Sequence, residues 1–304
     1  MERFKVVGVG YNCVDMICMV EDFPVEDSST HITSRVIQGG GAVATALVAA
    51  SKLGTNCAFI GNIGNDSMSD ETVRMFELYG VCTDYMVKRS DCYGLESIVM
   101  VNPANGSRTK FPQRDYNPPI SWDDRLVSVI EGCNVLHLDG THYENAVNAA
   151  RIAKDCGVLV SLDGCSMQHD NEKNKILATM ADILIMNSKY PLKVSGKDTF
   201  DEALLEMSTW GSKKVVGCTL GDKGSKFVVE GRVVNFPSFE SKVVVDTTGC
   251  GDVFHGAFLN AYVSGMTLEK CIRFASAAAC CKCAAPGGRA GIPSREIVLE
   301  MIGE

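Results

Sequence analysis

The segment of this chain best suited to chemistry is residues 246–252, Asp-Thr-Thr-Gly-Cys-Gly-Asp. It follows a β-type run at 242–245 and precedes an apolar, helix-compatible stretch at 253–263. Glycines allow successive backbone N–H groups to point at one spot, and a helix N-terminus adds partial positive charge there. The segment therefore predicts a strand, an anion-binding turn and a helix, with the turn made of Gly249, Cys250 and Gly251.

Asp252 places a carboxylate at the rim of this predicted anion site. A carboxylate is a poor neighbour for an anion unless it has a chemical task, and the natural task is to accept a proton from a hydroxyl that attacks a phosphoryl group. The alternative is an acid that only stabilises the start of a helix. The glycine-rich turn favours a general base, with the backbone N–H groups beside it stabilising the transferred charge.

Strand-like and helix-like segments alternate along the rest of the chain. Short apolar runs predict strands at 6–9, 57–60, 134–138, 158–163, 183–186 and 214–219, and a hairpin at 226–229 and 233–236. Helices are predicted at 43–52, 70–78, 143–155, 171–180, 200–209 and 274–285. Continuous apolar strands alternating with helices predict a doubly wound, mostly parallel α/β sheet flanked by helices, with ligands outside the carboxyl ends of the strands.

Two segments interrupt this alternation. Residues 16–36 and 97–111 show period-2 patterns, and no crossover helix follows either of them. They predict a small antiparallel sheet outside the main one, built from about 14–38 and 93–115. The interpretation is a single α/β domain over residues 1–304 that carries this small sheet as an appendage.

Bulk properties exclude several classes of partner. The chain has 304 residues and a formal net charge of −8, with no basic run that would suit nucleic acid. Its mean hydropathy is +0.06, and no apolar stretch approaches the ~18 residues of a membrane span. The N-terminal apolar run lacks the flanks of a signal peptide. We therefore expect a cytoplasmic protein that binds neither nucleic acid nor membrane.

Fourteen cysteines do not by themselves predict disulfides, because the chain is neither small nor loop-rich. The cluster Cys280-Cys281-Lys282-Cys283 lacks a second Cys or His pair, so core packing is favoured over a metal site. Cys250 is a separate case, since backbone N–H groups at a helix start could lower the pKa of its thiol. A reactive thiol and a small space-filling residue both remain open at that position.

Five motifs together resemble signatures of the ribokinase-like (PfkB) family of carbohydrate kinases. They lie at residues 10–15, 39–46, 61–66, 219–224 and 246–252, in family order and at family spacing. The resemblance implies transfer of the ATP γ-phosphate to a sugar hydroxyl, with Mg²⁺ carried on the nucleotide phosphates. It also implies that the small sheet is a lid over the sugar and the surface of a possible homodimer.

The resemblance assigns roles to individual residues. The sugar would be held by Asp15, Gly40, Gly41 and Thr45, and Arg108 would close from the lid onto the sugar or the transferred phosphate. The nucleotide would lie against Asn187, Thr219, Gly221, Gly224, Gly249 and Gly251. A K⁺ site near Asp246 and Thr248 is left open.

The glycines at 39–41 also fit a dinucleotide-binding pattern with Ala44. That pattern requires a buried strand immediately before it and an acid about 20 residues later, and neither is present. Close approach of the backbone to a polar sugar is the better interpretation. Asp15 agrees with it, because an acid inside the apolar run 6–20 is unusual.

Two positions depart from the family pattern. Thr45 stands where the family often carries Asn, and Tyr190 stands where the motif Asn-x-x-Glu would place an acid that organises magnesium-bound water. Thr45 still offers a hydroxyl, although with a shorter reach. Tyr190 puts in doubt how the protein supports the metal, and it also supports the alternative of a catalytically inactive sugar-binding regulator.

The acceptor is the least constrained feature. Residues 245–255 and 286–293 are similar to sulfofructose kinases, but this region would handle nucleotide. A sulfonate or phosphate pocket needs Arg or Lys, and residues 136–144 contain neither. Residues 105–109 and 137–140 are closer to ketohexokinases, which favours a neutral ketose such as fructose. Aromatic residues of the lid segments (Phe23, Tyr93, Phe111) keep a nucleoside or vitamin kinase as an alternative.

Overall fold

A computed structural model describes residues 3–102, 107–241 and 243–303. The strands are β1 (Val6–Val9), β2 (Cys13–Val20), β3 (Ile32–Gly40), β4 (Cys57–Ile63), β5 (Met86–Lys88), β6 (Glu96–Val101), β7 (Arg108–Pro112), β8 (Val135–Leu138), β9 (Leu159–Gly164), β10 (Ile183–Met186), β11 (Val215–Thr219), β12 (Ser225–Val229) and β13 (Arg232–Phe236). The helices are α1 (Ala42–Lys52), α2 (Ser67–Glu77), α3 (Asp124–Glu131), α4 (Tyr143–Asp155), α5 (Asn171–Met180), α6 (Tyr190–Ser195), α7 (Phe200–Ser208), α8 (Cys250–Val263), α9 (Leu268–Lys282) and α10 (Arg295–Ile302).

Nine strands form the main sheet, in the order β13-β12-β11-β10-β9-β8-β1-β4-β5. All neighbours are parallel except β11–β12 and β12–β13, which form the predicted hairpin edge. The central strands β1, β8 and β10 are buried along their whole length, because helices cover both faces. The predicted doubly wound, mostly parallel sheet is therefore confirmed.

The core divides into two layers, one on each face of the main sheet. One layer packs α1, α8 and α9 against the sheet, and the other packs α3, α4 and α5. Helices α1 and α8 lie very close together, since a Cβ added at Gly256 would stand 2.1 Å from the carbonyl oxygen of Ala46. This contact fixes the start of α1 beside the start of α8, where most of the predicted site residues lie.

The small sheet has the strand order β3-β2-β6-β7. Its outer pairs are antiparallel and its central pair, β2 with β6, is parallel. Side chains alternate between the two faces of a strand, so residues two apart share a face. By this register Asp15, Ser97, Lys110 and Arg108 lie on one face, and Ile37, Met16, Ile98 and Phe111 form a row across the other.

Two local predictions are wrong. Residues 243–245 are exposed and belong to no strand, so the anion turn is reached through an extended segment instead (Lys242 lies outside the described residues). Their β-branched side chains favour strands, but the N–H of Val245 donates to the carbonyl oxygen of Cys283, just after α9, and not to a strand. Asp15 was expected at the end of the first strand, and it lies inside β2. The turn predicted at 102–106 falls mostly outside the described residues.

Candidate active site

The predicted anion-binding turn lies at the start of α8. Gly249 has φ 75° and immediately precedes the helix. A Cβ at Gly249 would stand 2.8 Å from the Cα of Gly288, so both the backbone conformation and the space require glycine. The N–H of Cys250 donates to the carbonyl oxygen of Thr247 at 3.3 Å, whereas the N–H groups of Gly251 and Asp252 lie in the first turn of α8, where an α-helix supplies no acceptor four residues earlier and an anion can take that place.

Asp246 holds this turn in place. Its Oδ1 accepts a hydrogen bond from the N–H of Thr248 at 2.8 Å, and its Oδ2 accepts one from the N–H of Gly287 at 2.8 Å. Burial acts to raise the pKa of the Asp246 carboxyl, but these hydrogen bonds and nearby Lys282 outweigh it and the pKa is lowered. An ionised Asp246 therefore joins the turn at 246–249 to the loop at 286–289.

A cavity of about 290 Å³ opens between the anion turn and the small sheet. It brings together eight of the predicted residues: Asp15, Gly40, Gly41, Thr45, Arg108, Thr248, Gly249 and Asp252. The remaining wall comes mainly from polar groups that were not predicted, namely Tyr11, Cys13, Ser97, Lys110, Thr141, Ser166 and Gly288. Cys250, Gly251 and four of the predicted nucleotide residues, Asn187, Thr219, Gly221 and Gly224, lie outside its lining. The cavity is thus polar, with carboxylates at Asp15 and Asp252 and cations on β7.

Asp252 lies in the first turn of α8 and faces the cavity. Burial, and next the negative charge of Asp163, raise the pKa of its carboxyl to about 7. A carboxyl with that pKa accepts a proton far more readily than an ordinary aspartate does. The side chain thus combines position and basicity suited to a general base near neutral pH.

Asp15 lies across the cavity from the anion turn. The Cys13 thiol donates to its Oδ1 at 3.3 Å, and burial raises the pKa of its carboxyl. A Cβ at Gly40 would stand 2.2 Å from Oδ2 of Asp15, so this contact requires glycine. Gly41 follows at the start of α1, and Thr45 is buried one turn later. These four residues form one wall of the cavity.

Arg289 supports that wall from behind, and it is not among the residues predicted from the sequence. Its Nη2 donates to the carbonyl oxygen of Gly40 at 3.1 Å, and its N–H donates to Oε1 of Gln38 at 3.1 Å. It is 2 % exposed, its Nη1 has no hydrogen-bond partner among the described residues, and burial lowers its pKa to about 10. A charged residue directly after the glycine pair 287–288 was the only signal that could have indicated it.

Two cations of β7 reach the cavity from the small sheet. Nη1 of Arg108 lies 3.7 Å from Oδ1 of Asp246 and 3.5 Å from the hydroxyl of Thr247. Lys110, two residues later on the same face, also lines the cavity. Arg108 therefore connects the small sheet to the anion turn, as its predicted position in the lid requires.

Of the predicted nucleotide residues, Gly249 and Gly251 lie at the start of α8, and the other four lie at or after the carboxyl ends of β10 and β11. Oδ1 of Asn187 accepts hydrogen bonds from the N–H groups of Lys189 and Tyr190, and its Nδ2 donates to the carbonyl oxygen of Cys165 at 3.2 Å. Thr219 ends β11, and a short 3₁₀ turn, Gly221–Lys223, leads to Gly224. The side-chain oxygen and the side-chain nitrogen of Asn187 thus both stabilise the loop that follows β10.

Tyr190 is a core residue. It is 2 % exposed, and its hydroxyl donates to the carbonyl oxygen of Asn174 at 3.1 Å. A phenol held in this way does not offer the oxygen that a glutamate would at the same position. Groups of three or more acidic, His or Cys side chains that could hold a metal ion are absent from residues 3–102, 107–241 and 243–303.

The three thiols of residues 280–283 contact three different neighbours. Cys280 lies against the carbonyl oxygen of Phe239, Cys281 against the sulfur of Met301, and Cys283 against Cys250, with 3.2 Å between the last two sulfurs. Burial and Cys283 raise the pKa of the Cys250 thiol, contrary to the lowered pKa that its place in the turn could have produced. All fourteen cysteines are free thiols.

Comparison with known proteins identifies the class to which this fold and site belong. The family model described as pfkB family carbohydrate kinase matches residues 3–295. The chain therefore belongs to the PfkB family of carbohydrate kinases, phosphotransferases with an alcohol group as acceptor. The resemblance of the five motifs is thereby confirmed.

Relatives in this family differ in the acceptor that they are named for. A ribokinase of Haemophilus influenzae is 29% identical over 86% of this chain and 87% of its own length. The ketohexokinase of Mus musculus is 24% identical over 94% of this chain and 98% of its own length. A nucleoside kinase of Methanocaldococcus jannaschii is 25% identical over 98% of this chain and 96% of its own length. The particular acceptor of this chain is thus left undetermined.

Solved structures match the whole chain. The ribokinase of Arabidopsis thaliana, complexed with ribose and ATP, has a TM-score of 0.85 and 26% identity and covers 100% of both chains. An Escherichia coli protein solved with ATP and Mg²⁺ has a TM-score of 0.82 and 18% identity and covers 99% of both. No helix in the described parts of this chain is long and apolar enough for a transmembrane segment.

Proposed function

We propose that this protein transfers the γ-phosphate of ATP to a hydroxyl group of a small carbohydrate. The observation that carries the proposal is the placement of Asp252 between an anion-binding turn and a polar cavity. A phosphoryl group bound at the turn and a hydroxyl group bound in the cavity would meet at this carboxylate. The family assignment supports the same reaction.

In the proposed reaction Asp15, with the backbone at Gly40 and Gly41, holds the sugar. Asp252 accepts the proton of the attacking hydroxyl as its oxygen forms a bond to the γ-phosphorus. The bond from that phosphorus to the β–γ bridging oxygen breaks, and ADP leaves with the electron pair. Backbone N–H groups at Gly249, Cys250 and Gly251 stabilise the charge on the transferred group.

Arg108 and the small sheet would close the cavity against water, which would otherwise take the phosphoryl group. The adenine nucleotide would extend from the turn toward Asn187, Thr219, Gly221 and Gly224. Mg²⁺ would arrive on the phosphates and keep several waters, which suits a site with no glutamate at Tyr190. The ion would neutralise phosphate charge during transfer.

For the acceptor we propose a neutral ketose such as fructose. The carboxylate of Asp15 suits hydroxyl groups, and residues 136–144, which include the end of β8, contain no Arg or Lys that would recognise an anionic group. A second candidate is a carbohydrate with a carboxylate, sulfonate or phosphate group. Arg108 and Lys110 favour it, because both cations line the cavity.

A substrate panel tests the proposal. ADP release from MgATP is measured with ketoses, aldoses, sugar acids, sugar phosphates and nucleosides, with Asp252→Asn assayed beside the natural protein. Turnover on neutral ketoses that disappears in Asp252→Asn supports the first candidate, and turnover on anionic sugars that also requires Lys110 supports the second. Turnover on nucleosides would identify a nucleoside kinase. Ligand-induced thermal stabilisation without any turnover would identify a binding regulator.

We also propose that the protein acts in the cytoplasm as a homodimer formed through the small sheet. Supporting this, Ile37, Met16, Ile98 and Phe111 form a row across the face turned away from the cavity, and Ile37, Ile98 and Phe111 are exposed. An apolar row across a whole sheet face suits a second copy of the same face.

A further inference from the structure

A buried ammonium group lies beside the anion turn. Lys282 is the last residue of α9, and its side chain is 0 % exposed. Its Nζ donates a hydrogen bond to the backbone carbonyl oxygen of Asp246 at 2.7 Å. A fully buried lysine is rare unless its charge has partners, because the cost of removing the charge from water must be offset.

The surroundings of Lys282 supply such partners. Burial lowers the pKa of its ammonium and Arg108 acts in the same direction, while the negative charge of nearby Asp246 acts to raise it. The carbonyl oxygen of Cys283 accepts hydrogen bonds from the N–H groups of Val245 and Asp246, at 2.8 and 3.2 Å. The end of α9 is therefore joined to the segment that enters the anion turn, and the ammonium lies at that junction.

This ammonium lies at the place where the sequence left a K⁺ site open, near Asp246 and Thr248. A monovalent cation bound there would need oxygen ligands from the same turn. The carbonyl oxygen of Asp246 already accepts from Lys282, and both carboxylate oxygens of Asp246 already accept from backbone N–H groups. A second cation would also stand close to the ammonium, where like charges repel. The residues present do not fit K⁺ at this place.

We propose that Lys282 is a built-in replacement for a monovalent cation, holding the anion turn in its phosphate-binding form without K⁺. The inference rests on the proposed kinase function. The ammonium keeps the carbonyl oxygen of Asp246 directed toward α9, and the same residue's carboxylate holds Thr248 and Gly287. Lys282 is thus a positioning residue, which acts on the transferred phosphate through the backbone of the turn.

The test compares cations in the natural protein and in Lys282 variants. Phosphorylation of an accepted sugar and the melting temperature are measured in Na⁺, K⁺, NH₄⁺ and tetramethylammonium salts of equal ionic strength. For the natural protein we expect turnover to change by less than about twofold between these salts, since no cation needs to bind. The melting temperature should likewise not rise specifically with K⁺.

Lys282→Met removes the charge and keeps the approximate length, and we expect kcat to fall by about 10²-fold with a smaller change in the KM for sugar. Lys282→Ala leaves a space beside the Asp246 carbonyl, and NH₄⁺ or K⁺ should restore part of both kcat and melting temperature in that variant. Lys270→Met, on the exposed side of the same helix, is the matched control and should behave as the natural protein.

A natural protein that K⁺ activates by about tenfold or more would overturn the proposal, and so would an alanine variant that no small cation rescues in turnover or in melting temperature. If Lys282→Met does not fold, the cation response of the natural protein still decides. If no sugar is phosphorylated, the kinase proposal fails separately. The melting temperatures with MgATP then test Lys282 alone: cation rescue of the alanine variant supports it, and no rescue overturns it.

Discussion

The carboxylate of Asp163 lies 3.2 Å from Nε2 of His255, three residues after Asp252 in α8. Both side chains are 4 % exposed, and the ring of His137 lies against that of His255 with 5.5 Å between centroids. Burial, together with His255, lowers the pKa of His137 to about 3, so His137 remains neutral at physiological pH. Burial acts to raise the pKa of Asp163, but the charge and hydrogen bond of His255 outweigh it and the pKa is lowered, so Asp163 is ionised. Its negative charge adds to burial in raising the pKa of Asp252, while His255 acts to lower that pKa.

The first prediction concerns pH. Burial and Asp163 raise the pKa of Asp252 to about 7. Because only the ionised carboxylate can accept a proton, kcat/KM should rise through about pH 7 and reach a plateau above it. Asp163→Asn removes the negative charge and should move this rise toward lower pH. Initial rates at saturating MgATP across this range measure both. A rise centred near pH 4 in the natural protein would contradict the assignment.

The second prediction separates activity from stability in Asp252→Asn. The pKa of Asp252 is about 7 in the folded protein and 3.8 ordinarily, so the folded state holds this proton more tightly than the unfolded state does. The free energy of unfolding therefore decreases as the pH rises from about 4 to about 7, and the full decrease is present above pH ~7. The Asn variant has no such penalty. At pH ~8 the free energy of unfolding of the variant should therefore exceed that of the natural protein by up to about 4 kcal/mol, reduced by solvent screening from the open cavity. Its turnover should fall by about 10²–10⁴-fold.

Chemical denaturation at two pH values checks this second prediction. The difference in the free energy of unfolding between the two proteins should be large at pH ~8 and small at pH ~4. Equal differences at both pH values would mean that the gain does not come from ionisation of Asp252.

The third prediction concerns the wall that faces the sugar. In Gly40→Ala the new Cβ would stand 2.2 Å from Oδ2 of Asp15, so Asp15 or β3 must shift. We expect a loss of about 1–3 kcal/mol in stability and a raised KM for sugar, with the KM for ATP nearly unchanged. Gly132→Ala, in the helical region at the end of α3, is the control and should alter neither constant. An unchanged sugar KM would mean that Asp15 does not hold the sugar.

The fourth prediction concerns the thiol of Cys250. Burial and the contact with Cys283 raise its pKa, so little thiolate is present near neutral pH and alkylation should be slow. Exposed Cys156 should react first, with activity retained. Mass spectrometry with parallel activity assays gives the order of labelling, and MgATP should slow labelling of Cys250 further. Full activity after complete labelling of Cys250 would remove any functional role for it.

The fifth prediction tests the proposed dimer. Ile98→Glu places a charge in the middle of the exposed apolar row on the small sheet. Light scattering should show a dimer for the natural protein and a monomer for this variant, because burying an unpaired carboxylate in an interface is costly. Ile176→Glu changes an equally exposed residue on α5 and should leave the dimer intact. A monomeric natural protein would reject the proposal.

Local pattern was enough for the main sheet. A continuous apolar run such as 183–186 has apolar side chains on both faces of a strand and is stable only where both faces are buried. The run therefore predicted β10 with its observed bounds. The valines at 243–245 have the same local character and form no strand, because strand pairing depends on a neighbouring edge that sequence does not reveal. Asp252 and its turn were predicted from the local pattern of glycines before a helix, whereas Asp15, Gly40, Gly41, Thr45 and Arg108 were predicted through the family resemblance of the motifs.

The supporting residues could not be predicted in this way. Arg289 contacts Gln38 and Gly40, about 250 positions earlier in the chain. Lys282 lies in an alanine- and cysteine-rich helix, where the local pattern indicates only core packing of the neighbouring thiols. Their roles arise when the end of α9 and the following loop pack beside β3 and the anion turn. Tyr190 likewise became a core residue only through its contact with Asn174.

The parallel pairing of β2 with β6 has a consequence for protein engineering. Strands β3, β4 and β5 and helices α1 and α2 all lie between these two partners in the chain, so the small sheet is assembled from separated segments. It cannot be exchanged between kinases as one contiguous cassette, in the way that a hairpin insertion can. A chimaera that takes its acceptor preference from a relative would have to replace both flanking segments together while keeping the intervening α1 and its contact with α8.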